Sequence, residues 1–148
     1  MRRALYWNGA GTRPHWLRAV ILLGLAYFVI GLALGALAGS ASSSQMRVTW
    51  RLLAWVLSAI AFAAHVWYEQ FRLRSGRVTT GFHAASAVAL GALLVAGAAV
   101  VHGQATGAAH QNRRVISLVL WPILAGVPAF LVALAAAAAL SLSRREST

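Results

Sequence analysis

The sequence predicts an all-α integral membrane protein: a bundle of four transmembrane helices with both termini on the same side. Three observations lead there. Of the 148 residues, 60% are hydrophobic and only 10% charged, against about 25% charged in an ordinary soluble domain. The apolar residues fall into four long runs, and about 20 helical residues at about 1.5 Å each suffice to cross a hydrocarbon core. The arginines gather at the ends of those runs, where charge reaches water or headgroups.

The chain reads as a single four-helix domain over residues 1–148. Residues 1–15 form a polar and aromatic leader with Arg2, Arg3 and Arg13. Tyr6, Trp7 and Trp16 suit the headgroup level, where amphipathic rings are enriched. The first span is expected over 17–38, with Arg18 snorkelling to the interface. Gly31, Gly35 and Gly39 recur every four residues, and Gly24 stands seven before Gly31. Small residues on one face let another helix approach closely, which is how membrane helices gain packing energy. Packing inside the same chain is the first expectation for this face, ahead of a dimer seam. Ala36-Leu37-Ala38 before Gly39 resembles a signal-peptidase site. The apolar run is longer than the about 7–15 residues of a signal peptide, so a retained helix is expected.

A polar loop, Ser40 to Thr49, leads to a second span over 50–71. The loop after it holds Arg72, Arg74 and Arg77, with Gly76 as a helix stop. The third span, over 80–102, is dominated by alanine and glycine, with Ala84, Gly91 and Ala98 seven apart. So thin a helix suits a central, closely packed place. The longest polar connection, 103–114, contains His110. The fourth span, over 115–142, carries Pro122 and Pro128, each of which removes a backbone donor and can kink a helix. A weak echo between Ala33–Leu37 and Ala89–Leu93 hints at a duplicated two-helix unit.

Four spans put both termini on one side. The termini and middle loop hold Arg2, Arg3, Arg13, Arg18, Arg72, Arg74, Arg77, Arg144 and Arg145; the other two connections hold Arg47, Arg51, Arg113 and Arg114. The positive-inside rule then places the termini in the cytoplasm, and a bacterial plasma membrane is the expected location. The formal charge of +11 points to anionic lipid headgroups as partner, not to nucleic acid.

Chemistry has few places to reside. There is no cysteine, and Glu69 and Glu146 are the only acidic residues. Thiolate and paired-carboxylate chemistry are therefore excluded, and an enzyme is not expected. On the second span, His65 and Glu69 are four apart and share a face. Arg72 follows within a turn, and His83 enters the third span at similar depth. A cluster of His65, Glu69, Arg72 and His83 is expected near the inner interface. In its structural form Glu69 pairs with Arg72 or Arg74, and His65 donates to Glu69. In its functional form Glu69 is a proton- or cation-coupling carboxylate with His65 or His83 as relay. No cofactor and no metal are expected; axial ligation of haem by His65 and His83 is the remote alternative. His15, His102 and His110 lie at or beyond the membrane ends and are expected to be solvated or in contact with headgroups.

With almost no extramembrane mass and abundant Gly/Ala surface, the expected function is that of an accessory or structural subunit of a larger membrane complex, or of a homo-oligomer. Protein partners or a second copy would meet it through Gly/Ala faces, with Gly24, Gly31, Gly35, Gly39 and Gly91 as packing positions. The alternative is a small proton- or cation-coupled transporter or channel built on Glu69.

Overall fold

The structure, a computed structural model, describes residues 15–73, 75–106 and 111–146. Arg2, Arg3, Tyr6, Trp7, Arg13, Arg74 and His110 lie outside the described residues, as do the side chains of His15, Arg113, Arg114, Arg144 and Arg145. The chain forms four helices: α1, His15–Gly39; α2, Ser44–Phe71; α3, Arg77–Ala105; and α4, Gln111–Glu146. Each contains a stretch long and apolar enough to cross a membrane. These stretches run from 24 to 29 residues, or about 36 to 43 Å at helical rise, more than the about 30 Å of hydrocarbon. That is the basis for reading the chain as a multi-pass membrane protein.

The helices outrun the expected spans, and local chemistry explains where. α2 begins at Ser44 rather than near Trp50, because Ser43 caps it: its Oγ accepts from the Met46 N–H at 3.1 Å. Such a cap satisfies one of the donors that an open first turn leaves unpaired. Thr49 then returns its hydroxyl to the Gln45 carbonyl at 3.0 Å. α2 closes at Phe71, with the Arg72 and Leu73 N–H groups both donating to the Tyr68 carbonyl. Gly76, expected to stop this helix, instead opens the next one as the N-cap of α3. α3 runs past His102, and Thr106 ties its end by donating to the His102 carbonyl at 2.9 Å. α4 passes through Pro122 and Pro128 without interruption.

α3 is central, as its composition implies. It lies along α4 on one side and along α1 on the other, while α1 and α4 do not meet among the described residues. The α1–α3 crossing is set by three glycines. A Cβ on Gly91 would stand 2.6 Å from the Tyr27 Cβ and 3.1 Å from the Gly24 carbonyl oxygen. A Cβ on Gly24 would meet the Leu90 side chain, and one on Gly31 the Val95 side chain. Gly35 and Gly39 are different: both are exposed, and among the described residues nothing lies within 4 Å of where a Cβ would stand. On the other side of α3, Gly81 receives the Phe130 ring, which also tilts against Phe82 at 5.1 Å between centroids.

α2 is attached differently. It runs along α1 but touches α3 and α4 only briefly. The apolar part of that contact joins Val66 to Ala84 and Ala133, with Phe62, Ala136 and Leu140 packed around them. Towards its N-terminus α2 stands off from α3 and α4. A cleft of about 630 Å³ opens there, lined by Trp55, Ser58 and Phe62 from α2 and by Trp121, Pro128 and Val132 from α4.

Candidate functional site

The buried polar residues among those described collect at one end of the bundle, where α2 turns into α3. Glu69 occupies the last turn of α2 and is fully buried. The helix ends two residues later, and the turn folds back over it. The Ser75 N–H donates to the Glu69 backbone carbonyl at 3.2 Å. The Ser75 hydroxyl donates to Glu69 Oε2 at 2.7 Å. From the second turn of α3, His83 brings Nδ1 to 3.1 Å from Oε1. Both carboxyl oxygens therefore have a partner. A buried carboxylate without donors would be costly.

Two further contacts brace the arrangement. Gln70 Nε2 donates to Thr80 Oγ1 at 2.9 Å and to the Ser75 carbonyl at 3.4 Å. Thr80 is itself fully buried, and its own N–H closes the first turn of α3 on the Gly76 carbonyl. From α1, Trp16 lies flat on His83, with ring centroids 4.8 Å apart and planes within 2° of parallel. The site thus joins three helices and the turn: Trp16 from α1, Glu69 and Gln70 from α2, Ser75, and Thr80 and His83 from α3.

Of the residues expected to cluster, the structure brings Glu69 and His83 into contact and places His65 one helical turn earlier on α2. Arg72 is exposed at the C-cap of α2. The only ion pair among the described residues is Glu69 with His83, so the expected pairing with Arg72 and the expected donation from His65 are not found among them, and Arg74, the other expected partner, lies outside them. The physical reason is position: Arg72 lies beyond the end of α2, where its side chain reaches outward, whereas His83 enters from the neighbouring helix at the depth of Glu69. His65 is 3% exposed, and neither of its ring nitrogens has a hydrogen-bond partner among the described residues. His102 is exposed near the end of α3.

The chemistry open to this arrangement is narrow. One proton shared between Glu69 and His83 leaves the pair with no net charge, whichever side holds it. Such a pair is far cheaper to bury than a lone carboxylate. No group of three or more histidine, cysteine, aspartate or glutamate side chains suited to a metal ion occurs among the described residues.

Sequence reasoning missed Ser75, Gln70, Thr80 and Trp16. The first three had a signal. They flank a connection too short to separate α2 from α3, so polar groups on either side of it must face one another. Trp16 had none, because its contact depends on how α1 crosses α3. Comparison of the chain with family models, with curated proteins and with solved structures gives no match.

Proposed function

We propose that the protein is a packing component of the membrane, an accessory or structural subunit of a larger complex or of a homo-oligomer, in which the Glu69 network is a lock. The observation that carries this reading is the sealing of Glu69. Its side chain is fully buried, both oxygens are engaged by Ser75 and His83, and the cleft beside α2 is not lined by it. A coupling carboxylate needs a path along which an ion or a proton-bearing water arrives. A lock needs none. The arginine distribution supports cytoplasmic termini in a bacterial plasma membrane, which puts the lock at the cytoplasmic end.

The test is purification in a gentle detergent, followed by mass analysis of the intact assembly. A stoichiometric protein partner or a defined homo-oligomer is expected, and Glu69→Gln should leave its composition unchanged. A monomer that brings no protein with it would refute the reading.

A second reading has one observation in its favour. His65 is a buried imidazole with both nitrogens unpartnered, one turn from Glu69, and unsatisfied buried polar groups are costly enough to call for a reason. If the bundle opens, His65 is placed to exchange a proton with Glu69, and the chain becomes a small proton-coupled transporter. Reconstituted vesicles then show proton flux that Glu69→Gln abolishes. Equal flux with both proteins, or none with either, removes this reading.

A further inference from the structure

At the end of the bundle opposite Glu69, a second cavity of about 520 Å³ lies between α1 and α2, lined by Gly35, Ala38, Gly39, Arg47 and Arg51. We infer that this notch binds the phosphate of an anionic phospholipid, one acyl chain of which lies in the apolar cleft beside α2. The inference goes beyond the subunit reading and does not depend on it.

The first argument is charge. Arg47 and Arg51 are four residues apart on α2, so their side chains leave the same face. Glu69 and Glu146 are the only acidic residues of the chain. Glu69 is in the last turn of α2, and Glu146 ends α4. In four antiparallel helices both positions fall at the other end of the bundle. The one ion pair among the described residues is there too. The chain therefore supplies no counter-charge for Arg47 and Arg51. Two guanidinium groups lining one recess suit an anion with several acceptor oxygens, and phosphate matches their fork geometry.

The second argument is space. Gly35 and Gly39 form the α1 wall of the notch, and nothing lies within 4 Å of where their Cβ atoms would stand. These glycines do not serve the α1–α3 crossing, which is made by Gly24, Gly31 and Gly91. What their missing side chains leave is room beside the two arginines.

The third argument is continuity, and it selects a lipid over a free ion. At about 100° per residue, Arg47, Arg51, Trp55, Ser58 and Phe62 fall within a sector of about 80° on α2. The first two line the notch and the last three line the cleft. Descending that face, cationic groups give way within one turn to an apolar trough. On α4 the cleft runs from Ser117 to Val132, about 22 Å of helix, which exceeds the about 15 Å of one leaflet's hydrocarbon. A headgroup at the arginines and a tail along the cleft reproduce that order of polarity, and a free anion uses only the first part of it.

The experiment takes the full chain, delipidated in mild detergent, and offers it phosphatidylglycerol and phosphatidylcholine with identical acyl chains, counting bound lipid by native mass spectrometry. One phosphatidylglycerol per chain is expected, preferred over phosphatidylcholine by about tenfold or more, as charge-assisted contacts to an uncompensated arginine pair imply. The double variant Arg47→Gln/Arg51→Gln should lose the preference, while Arg47→Lys/Arg51→Lys keeps part of it. Ala59 is exposed and lines the cleft; Ala59→Trp fills the trough without entering the core and should lower retention of both lipids. Circular dichroism and gel filtration confirm that each variant is folded. Equal retention of phosphatidylglycerol by wild type and the Gln variant overturns the inference. Displacement by millimolar inorganic phosphate would show a small-anion site and overturn the lipid assignment. Binding of an uncharged monoacylglycerol as tightly as of phosphatidylglycerol would show that the arginines contribute nothing and overturn the inference.

Discussion

Alanine replacing a glycine in α3 should have opposite effects at two positions six residues apart. Gly91 and Gly97 are in the same helix, so each substitution brings the same gain in helix propensity, about 0.5–1 kcal/mol. At Gly97 nothing lies within 4 Å of the new methyl, so Gly97→Ala should be stabilising by about that amount. At Gly91 the methyl would stand 2.6 Å from the Tyr27 Cβ and 3.1 Å from the Gly24 carbonyl, against about 3.5–4.0 Å for a relaxed carbon contact. Neither neighbour can rotate away, because one is a Cβ and the other is backbone. α1 and α3 must separate by about 1 Å, and overpacking of this kind costs about 1–3 kcal/mol. The two variants should therefore differ by about 1–3 kcal/mol, with Gly91→Ala the less stable. Gly24→Ala belongs between them: Leu90 Cδ2 and Cγ, at 2.6 and 2.9 Å from the new methyl, can move with a change of rotamer, whereas its Cβ at 3.0 Å cannot. The assay is reversible unfolding in mixed micelles as the fraction of dodecyl sulfate is raised, followed by helical circular dichroism. If Gly91→Ala unfolds together with Gly97→Ala, the α1–α3 crossing does not run through these glycines and the packing argument fails.

Other substitutions separate the roles of the polar residues. Glu69→Leu leaves Ser75 Oγ and His83 Nδ1 without their acceptor and should cost about 1–3 kcal/mol for each buried group stranded. Glu69→Gln keeps an acceptor oxygen and should cost only about 1 kcal/mol, the difference between a charged and a neutral acceptor; equal losses for the two would mean that the hydrogen bonds contribute nothing. His65→Leu removes two unpartnered nitrogens from a buried site, so a gain of about 1–3 kcal/mol is expected in the same unfolding assay; a loss would reveal a partner for His65. Trp16→Ala removes the ring lying on His83 and should destabilise by about 0.5–1.5 kcal/mol beyond the lost contact area. Ser43→Ala strips the cap of α2 and should cost about 1 kcal/mol, with faster amide exchange at Met46, whose N–H loses its acceptor.

The number and order of the helices were legible because hydropathy over 20-residue runs is a strong signal, and the central place of α3 was legible from its alanines and glycines. Helix ends were less so. The start of α2 turned on Ser43, a capping residue within a serine cluster that reads equally well as loop. Glu69 and His83 were found from depth and spacing alone. The choice of His83 over Arg72 as partner of Glu69 was not, because arginine reaches far enough to be counted at either position and only the path of the turn decides. The split among the glycines of α1 was equally hidden. Gly24, Gly31, Gly35 and Gly39 share a face by spacing, yet the crossing with α3 uses the first two and leaves the others open. A periodic pattern names a face, and the crossing point depends on partners elsewhere in the chain.

The uneven attachment of α2 explains where the polar residues are. In hydrocarbon, apolar surface alone gives helices little reason to associate, since lipid tails are as apolar as leucine. α3 and α4 overcome this with small residues: Gly81 admits Phe130, and Gly126 brings the Ala89 methyl to 3.4 Å of where its Cβ would stand. α2 has no glycine, so it lacks the notches through which α3 meets α1 and α4, and only α1 runs along it. Its contact with α3 and α4 is brief and includes the end near Val66 and Glu69. There a small apolar cluster is supplemented by a buried carboxylate, a histidine, a serine and a glutamine–threonine pair, each with its partner on another element. The same lack of glycine notches facing α3 and α4 leaves the cleft beside Trp55 and Trp121. The lock and the cleft thus share a cause: a helix that lies along α1 but is joined to α3 and α4 only briefly, where hydrogen bonds hold it.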